Sequence, residues 1–359
     1  MSEYGLFYHR QGAEPVARLV HSFPPGAHLS SQGLQQQRIK GSPVRVLSCL
    51  FAALLFVPVT TLAEVKVGLT KARIARGEYL ARHVAGCDGC HSERALDRYG
   101  YPPKEDMRMA GGLIFTELSK HAATPNITPY GIGDWTDQQI FDALTRGVAK
   151  DGHVLNPAMP YQTYGTLDRE ELYSIIAYLR TLKPIQAGPY PRDYPGDFKP
   201  FESKVGAVPR PGPDASDAER GNYLVAVAGC NGCHLGSSES SPPFMGGREF
   251  RLEGRGLIRS ANLTPDGKTG IGAWTREAFI ARFKGMRGQE KVMVKLGEPN
   301  TAMHWWSYSY MTDEDLGAIY SYLRTLQPVQ NAVVRFEPLP GQLASPNYSE
   351  RTTSSAVTE

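Results

Sequence analysis

The stretch that decides this chain is Val84–Arg94, VAGCDGCHSER, which sets two cysteines and a histidine within five positions; VAGCNGCHLGS answers it at Val227–Ser237. Working outward from both, the chain matches itself element by element, the mark of an internal repeat. RGEYLARHVAGCDGCH at Arg76 pairs with RGNYLVAVAGCNGCH at Arg220, and NITPYGIGDWT at Asn126 with NLTPDGKTGIGAWT at Asn262. LDREELYSIIAYLRTLKPI at Leu167 pairs with MTDEDLGAIYSYLRTLQPV at Met311. The offset is 143 residues for the cysteines and 144 for Tyr178 and Tyr322, so one domain has been duplicated.

The repeat divides the chain into a first copy over 64–190 and a second over 214–335, joined by a proline-rich linker over 191–213. Eight prolines between Pro184 and Pro213 favour an extended connector that forms neither helix nor central strand. The polar residues 336–359 read as a flexible tail.

Within each copy the apolar period is helical. Leu172, Ile175, Ile176 and Leu179 recur at three and four, as do Leu316, Ile319, Tyr320 and Leu323. Acidic first turns at Asp168 and Asp313, Arg180 and Arg324 near the other end, and Pro184 and Pro328 beyond punctuate both helices. An entry helix over 72–85, matched at 218–228, delivers the chain into each cysteine motif, and Gly77 and Gly221 on it leave room for another helix to approach. Thr136-Asp137 and Thr275-Arg276 open a shorter helix. No strand alternation stands out, so the fold class expected is all-α.

Residues 46–63 carry no charge, follow Lys40 and Arg45, and end in Thr-Leu-Ala. Residues 44–63 therefore read as a secretory signal peptide cleaved after Ala63, with an uncleaved membrane anchor as the alternative. Residues 1–43 precede it without periodic pattern and read as an upstream extension from a mis-assigned start. The formal charge of the 359-residue chain is +3. Residues 1–63 hold five basic and two acidic side chains, so the exported part is near neutral and gives no case for nucleic-acid binding. Of five cysteines only Cys49, in the leader, lies outside the two motifs.

C-x-x-C-H is the attachment signature of a c-type haem, in which both sulfurs form thioethers to the porphyrin and the adjacent histidine ligates iron. Cys87, Cys90 and His91 would hold one haem c, and Cys230, Cys233 and His234 a second. Zinc would need a further ligand pair that neither copy offers, and a thioredoxin-like site would need a βαβ setting. For the distal position Met159 lies 68 residues after His91 and Met303 lies 69 after His234, a shared register that selects these two from nine methionines. His304 and Met311 stay open as alternatives at the second iron. Tyr101-Pro102 and Ser241-Pro242 are the expected carbonyl partners of the proximal imidazoles. His83, His121 and His153 have no counterparts and are read as ordinary polar residues, Trp135 and Trp274 as core or porphyrin-edge packing.

The order R-G-x-Y-L, C-x-x-C-H, N-[IL]-T-P, G-I-G-x-W, A-M-[PH] and Y-L-R-T-L-x-P resembles the cytochrome c domains of periplasmic alcohol and gluconate dehydrogenase cytochrome subunits. It also resembles dihaem cytochromes that accompany molybdenum hydroxylases. The resemblance runs from about Ile74 to Val329. It implies two tandem class I cytochrome c domains, each enclosing one covalent haem. Its implied role is a periplasmic electron-transfer protein, possessing no catalytic residues, between a membrane-associated or periplasmic dehydrogenase and a downstream acceptor of the respiratory chain. Two departures are visible: subunits of that family carry three such motifs where this chain has two, and AMHWW replaces the expected Met-Pro-Trp-like segment. A dihaem enzyme with one open iron, peroxidase-like or thiosulfate-oxidising, is the alternative; a methionine in both copies and the lack of a further cysteine after the leader speak against it.

Overall fold

Each repeat is organised by one helix crossing at a glycine. In the computed structural model, which describes residues 6–7, 64–114, 122–192, 197–236, 238, 240–252 and 256–338, the first repeat holds five helices. These are α1 (Lys71–Tyr79), α2 (Pro129–Ile132), α3 (Asp137–Arg146), α4 (Tyr161–Tyr164) and α5 (Arg169–Thr181). The second holds α6 (Asp217–Val227), α7 (Cys230–His234), α8 (Arg276–Lys284), α9 (Trp305–Tyr308) and α10 (Asp313–Leu323). Helix α1 crosses α5, and α6 crosses α10. A Cβ on Gly77 would lie 1.8 Å from the Ser174 carbonyl oxygen, and one on Gly221 would lie 1.9 Å from that of Ala318. The glycines are there because the backbones touch.

The helix starts follow the expected chemistry. Thr136 and Ser216 form capping boxes with Gln139 and Glu219, while Thr275, Thr312 and Asp168 cap α8, α10 and α5. The change of repeat offset from 144 to 143 also has a structural seat. Following α1, Leu80–Val84 form a π-helical turn, where α6 continues as regular helix through Val227. A π turn absorbs one inserted residue without breaking the helix, so the first copy carries its extra residue there and both chains still arrive in register at their cysteines.

The buried residues of both copies make one continuous core, with Leu172, Ile175 and Ile176 from α5 and Leu224, Leu316 and Leu323 from α6 and α10 in it. The copies meet reciprocally. Tyr79 of the first donates to Asp315 of the second at 2.6 Å, and Tyr223 of the second donates to Glu171 of the first at 3.2 Å. Both pairs of positions are 144 apart, so the contact is isologous, as across a two-fold axis. Glu171, 1 % exposed, also receives two hydrogen bonds from Arg76 and an ion pair from Arg210. Burial of that carboxylate is supportable because it is multiply paired.

Two expectations are corrected. The fold is mainly but not wholly helical: β2 (Glu249–Leu252), β3 (Gly256–Arg259) and β4 (Phe336–Glu337) pair antiparallel, and β1 (Leu6–Phe7) pairs antiparallel with β2. Strands this short show too little alternation to be read. Phe336, placed in the tail, is buried with Phe250, Ile258 and Tyr101 in a second small core. The linker lies against the first repeat: Phe201, Lys204, Gly206 and Val208 donate backbone hydrogen bonds to Arg146, Gly165, Leu167 and Thr166. The leader, Cys49, His121 and all of the upstream extension except Leu6–Phe7 lie outside the described residues. Among the described residues no helix is long and apolar enough to cross a membrane.

Candidate haem sites

The two C-x-x-C-H loops sit in the same local frame. A left-handed glycine, Gly86 or Gly229, ends the entry helix and turns the chain into Cys87 or Cys230. His91 Nδ1 bonds the Pro125 carbonyl at 2.9 Å, and His234 Nδ1 bonds the Ala261 carbonyl at 2.8 Å. That bond places the proton on Nδ1 and leaves Nε2 as the lone-pair nitrogen, the tautomer an iron ligand needs. Burial pushes both imidazoles down, His234 to about 4, so both are neutral. Burial also pushes the thiols of Cys87 and Cys230 up to about 12, keeping them as neutral thiols in apolar surroundings. Among the described residues no three His, Cys, Asp or Glu side chains converge as they would around a zinc ion.

The carbonyl acceptors correct the expectation that Tyr101-Pro102 and Ser241-Pro242 would serve. Tyr101 O accepts from Arg94 and Pro102 O from the Ala95 amide, so both are occupied elsewhere. The true acceptors precede the N-[IL]-T-P motifs by one residue, and those motifs clamp them. Asn126 accepts from the amide and hydroxyl of Thr128 and donates to Ile185 O; Asn262 accepts likewise from Thr264 and donates to Val329 O. A repeated element went unread: Met109-Ala-Gly-Gly and Phe244-Met-Gly-Gly. Gly111 and Gly246 donate to the carbonyls of His91 and His234, and each lies too close to the 124–126 or 261–262 backbone for a Cβ. Met109 and Phe244 both adopt positive φ, 60° and 63°. The doubled glycine pair was the available signal.

Gly89 of the first motif borders the second repeat, an added Cβ lying 3.1 Å from the His304 ring, whereas the matching Gly232 of the second motif has nothing within 4 Å of an added Cβ. Their settings differ: His91 and Asp88 are buried, whereas Asn231, Gly232 and Cys233 are exposed. Asp88 is held by Arg108 at 2.6 Å and Ser92 at 3.3 Å, partners that sequence spacing does not reveal.

The distal candidates occupy matching turns. Met159 precedes Pro160 and α4, Met303 precedes His304 and α9, and Pro160 and His304 share nearly the same backbone angles (φ −79°, ψ 46° and φ −76°, ψ 57°). Met159 is half-buried against the core that Cys87 also borders, and Met303 is half-buried. His304 turns to the other repeat: an added Cβ on Gly89 would lie 3.1 Å from its ring. Met311 is fully buried in the main core. Trp135 and Trp274 pack against that core, His83 is half-buried with its ring stacked on Tyr310, and His153 pairs with Asp151.

No family model matches the chain. It is similar over most of its length to cytochrome subunits of dehydrogenases and to a dihaem cytochrome. It is 31 % identical over 72 % of its length to the cytochrome c subunit of the quinone alcohol dehydrogenase of Gluconacetobacter polyoxogenes, covering 57 % of that subunit. It is 28 % identical over 80 % of its length to the fructose dehydrogenase cytochrome subunit of Gluconobacter japonicus, covering 60 %. With a diheme cytochrome c-type protein of Cereibacter sphaeroides it shares 29 % identity over 76 % of its length, and here it covers 92 % of the relative. The chain thus spans little more than half of the dehydrogenase subunits but nearly all of the dihaem protein.

Proposed function

We propose that this chain is a dihaem cytochrome c that relays electrons in the periplasm from a dehydrogenase towards the respiratory chain. The observation that carries the reading is the repeated proximal geometry: an imidazole bonded at Nδ1 to a backbone carbonyl, directly after a Cys-x-x-Cys pair, twice in one chain. Haem c, when bound, supplies a one-electron ferric/ferrous couple.

The residues do the rest. Cys87 and Cys90, and Cys230 and Cys233, would attach the porphyrin, and His91 and His234 would ligate iron, with Pro125 O and Ala261 O holding ring orientation. Met159 and Met303 would be the distal ligands, a choice supported by their matching turns and by the seat of His304 against Gly89, and thioether paired with imidazole would raise the potential of each iron. The chain acts as an electron-transfer subunit, a role supported by the cytochrome subunits among the proteins it resembles. The partner is a periplasmic or membrane-associated dehydrogenase, in keeping with the names of the relatives. Removal of residues 44–63, or their retention as an anchor, fixes whether it is free or membrane-bound.

The test is an electron paramagnetic resonance spectrum of the ferric protein, integrated against haem content after export to the periplasm. Two low-spin irons per chain are expected. A high-spin iron that takes up cyanide or peroxide readily would overturn the relay reading and point to a dihaem enzyme.

A further inference from the structure

The turn that carries Met303 is gripped from the other repeat. Asn300, 6 % exposed, donates to the Arg98 carbonyl at 3.0 Å and accepts from the Gly100 amide at 2.8 Å. Gly100, at φ +74°, lies against the loop: a Cβ there would sit 3.5 Å from the Met303 carbonyl oxygen and 3.7 Å from Trp306 Cδ1. The Arg94 guanidinium lies over the Trp306 indole, 5.0 Å from the ring centroid, and donates to the carbonyls of Tyr101 and Gly89. Ser307 Oγ donates to the Arg82 carbonyl at 2.6 Å. All these anchors belong to the first repeat.

The hydrogen bonds of the matching turn around Met159 stay within its own repeat. Asn156 accepts from the amides of Ala158 and Met159 at 2.9 and 3.0 Å, and the Tyr161 ring closes on Gly147. The position matching Arg94 is Ser237. Gly232, the counterpart of Gly89, has nothing within 4 Å of where its Cβ would be. Helix α4 does contact α6 of the second repeat, and Arg248 donates to the Gly232 carbonyl as Arg94 does to that of Gly89; what sets the second loop apart is the guanidinium stacked on Trp306 and the Asn300 hydrogen bonds that cross between the repeats.

We infer that Arg94 and Gly100 of the first repeat are positioning residues for the distal loop of the second haem, so that the methionine at that iron is set by the neighbouring domain. The inference rests on Met303 as ligand. A planar guanidinium held by two carbonyls is pre-organised, and its stacking on a buried indole is stronger than at an exposed site. Trp306 and the turn beginning at Met303 are one short rigid piece, since the Trp305 amide bonds the Met303 carbonyl at 2.8 Å. Fixing the indole therefore fixes the sulfur-bearing residue.

The experiment uses the exported, full-length dihaem protein and its Arg94→Met variant. Proton NMR of the reduced form reads the two ring-current-shifted methionine methyl signals, Met159→Ala assigns them, and imidazole titration of the ferric form reads the ease of displacing each methionine. In Arg94→Met the Met303 signal moves or broadens, and one haem binds imidazole about tenfold more tightly while the other is unchanged. Arg94→Lys behaves like Arg94→Met, because charge without the plane does not stack. If Arg94→Met fails to load both haems, Asn300→Ser withdraws the hydrogen bonds to Arg98 and Gly100 and gives the same one-sided response. Equal response of both haems, or of neither, overturns the inference. A wild-type protein lacking methionine methyl signals overturns the ligand assignment and, with it, the inference.

Discussion

Gly77→Ala is the sharpest test of the architecture. The added methyl would lie 1.8 Å from the Ser174 carbonyl oxygen and 2.8 Å from Tyr178 Cβ. Carbon and oxygen rest at about 3.3 Å even in a close C–H···O contact, so α1 and α5 must part by more than about 1 Å at their crossing. Both contact points lie on a helix whose inward face, Leu172, Ile175, Ile176 and Leu179, is buried, so separation loosens the first repeat's core. Overpacking of this kind costs about 1–3 kcal/mol and at times more, with the upper end expected where backbone opposes the methyl. Alanine recovers about 1 kcal/mol in helix propensity, leaving a net loss of ~2 kcal/mol and a melting temperature about 5 °C lower. Gly221→Ala, 1.9 Å from the Ala318 oxygen, should lose as much. Gly212→Ala, in the linker with nothing within 4 Å, should stay within about 0.5 kcal/mol. Thermal and denaturant unfolding followed by far-ultraviolet circular dichroism measure all three. Equal stability of Gly77→Ala and Gly212→Ala would refute the close crossing.

Further outcomes follow from the same geometry. Met159→His should keep its haem low-spin but lower the potential of that haem alone, read by a spectroelectrochemical titration that resolves two midpoints. A double-mutant cycle of Tyr79→Phe with Asp315→Asn should give a coupling of about 1 kcal/mol across the repeats, given the 2.6 Å bond; additivity would mean that the bond contributes nothing. Arg108, paired with Glu105 through two hydrogen bonds, holds that carboxyl below its usual 4.5. Its small stabilisation, about 0.3–0.5 kcal/mol for an exposed pair, is complete above pH 4.5 and is lost as pH falls through the lower folded value. Glu105→Gln should remove that part of the acid limb in unfolding curves measured between pH 3 and 6, and an unchanged slope would count against the pairing.

What the sequence by itself determined is local or repeated. Two C-x-x-C-H motifs, a doubled order of segments and well-capped amphipathic helices are written in adjacent residues, so the haem attachment residues and the helix crossings at Gly77 and Gly221 could be expected from spacing alone. The shift of offset from 144 to 143 was also visible, although only the fold shows it spent in a π turn at Leu80–Val84. Tertiary structure decided the rest, because the partners are far apart in the chain and share no period. His91 meets a carbonyl 34 residues on, and His234 meets one 27 on, which displaced the acceptors expected at Tyr101-Pro102 and Ser241-Pro242. Arg94 stacks on Trp306, and Asn300 bonds residues of the other repeat some 200 positions away. Tyr79 and Tyr223 exchange partners across the two copies. A duplicated sequence predicts two equal halves; only their docking shows that Asn300 and Trp306, beside Met303, reach Arg98, Gly100 and Arg94 of the first repeat, because those contacts depend on side chains that the two copies no longer share.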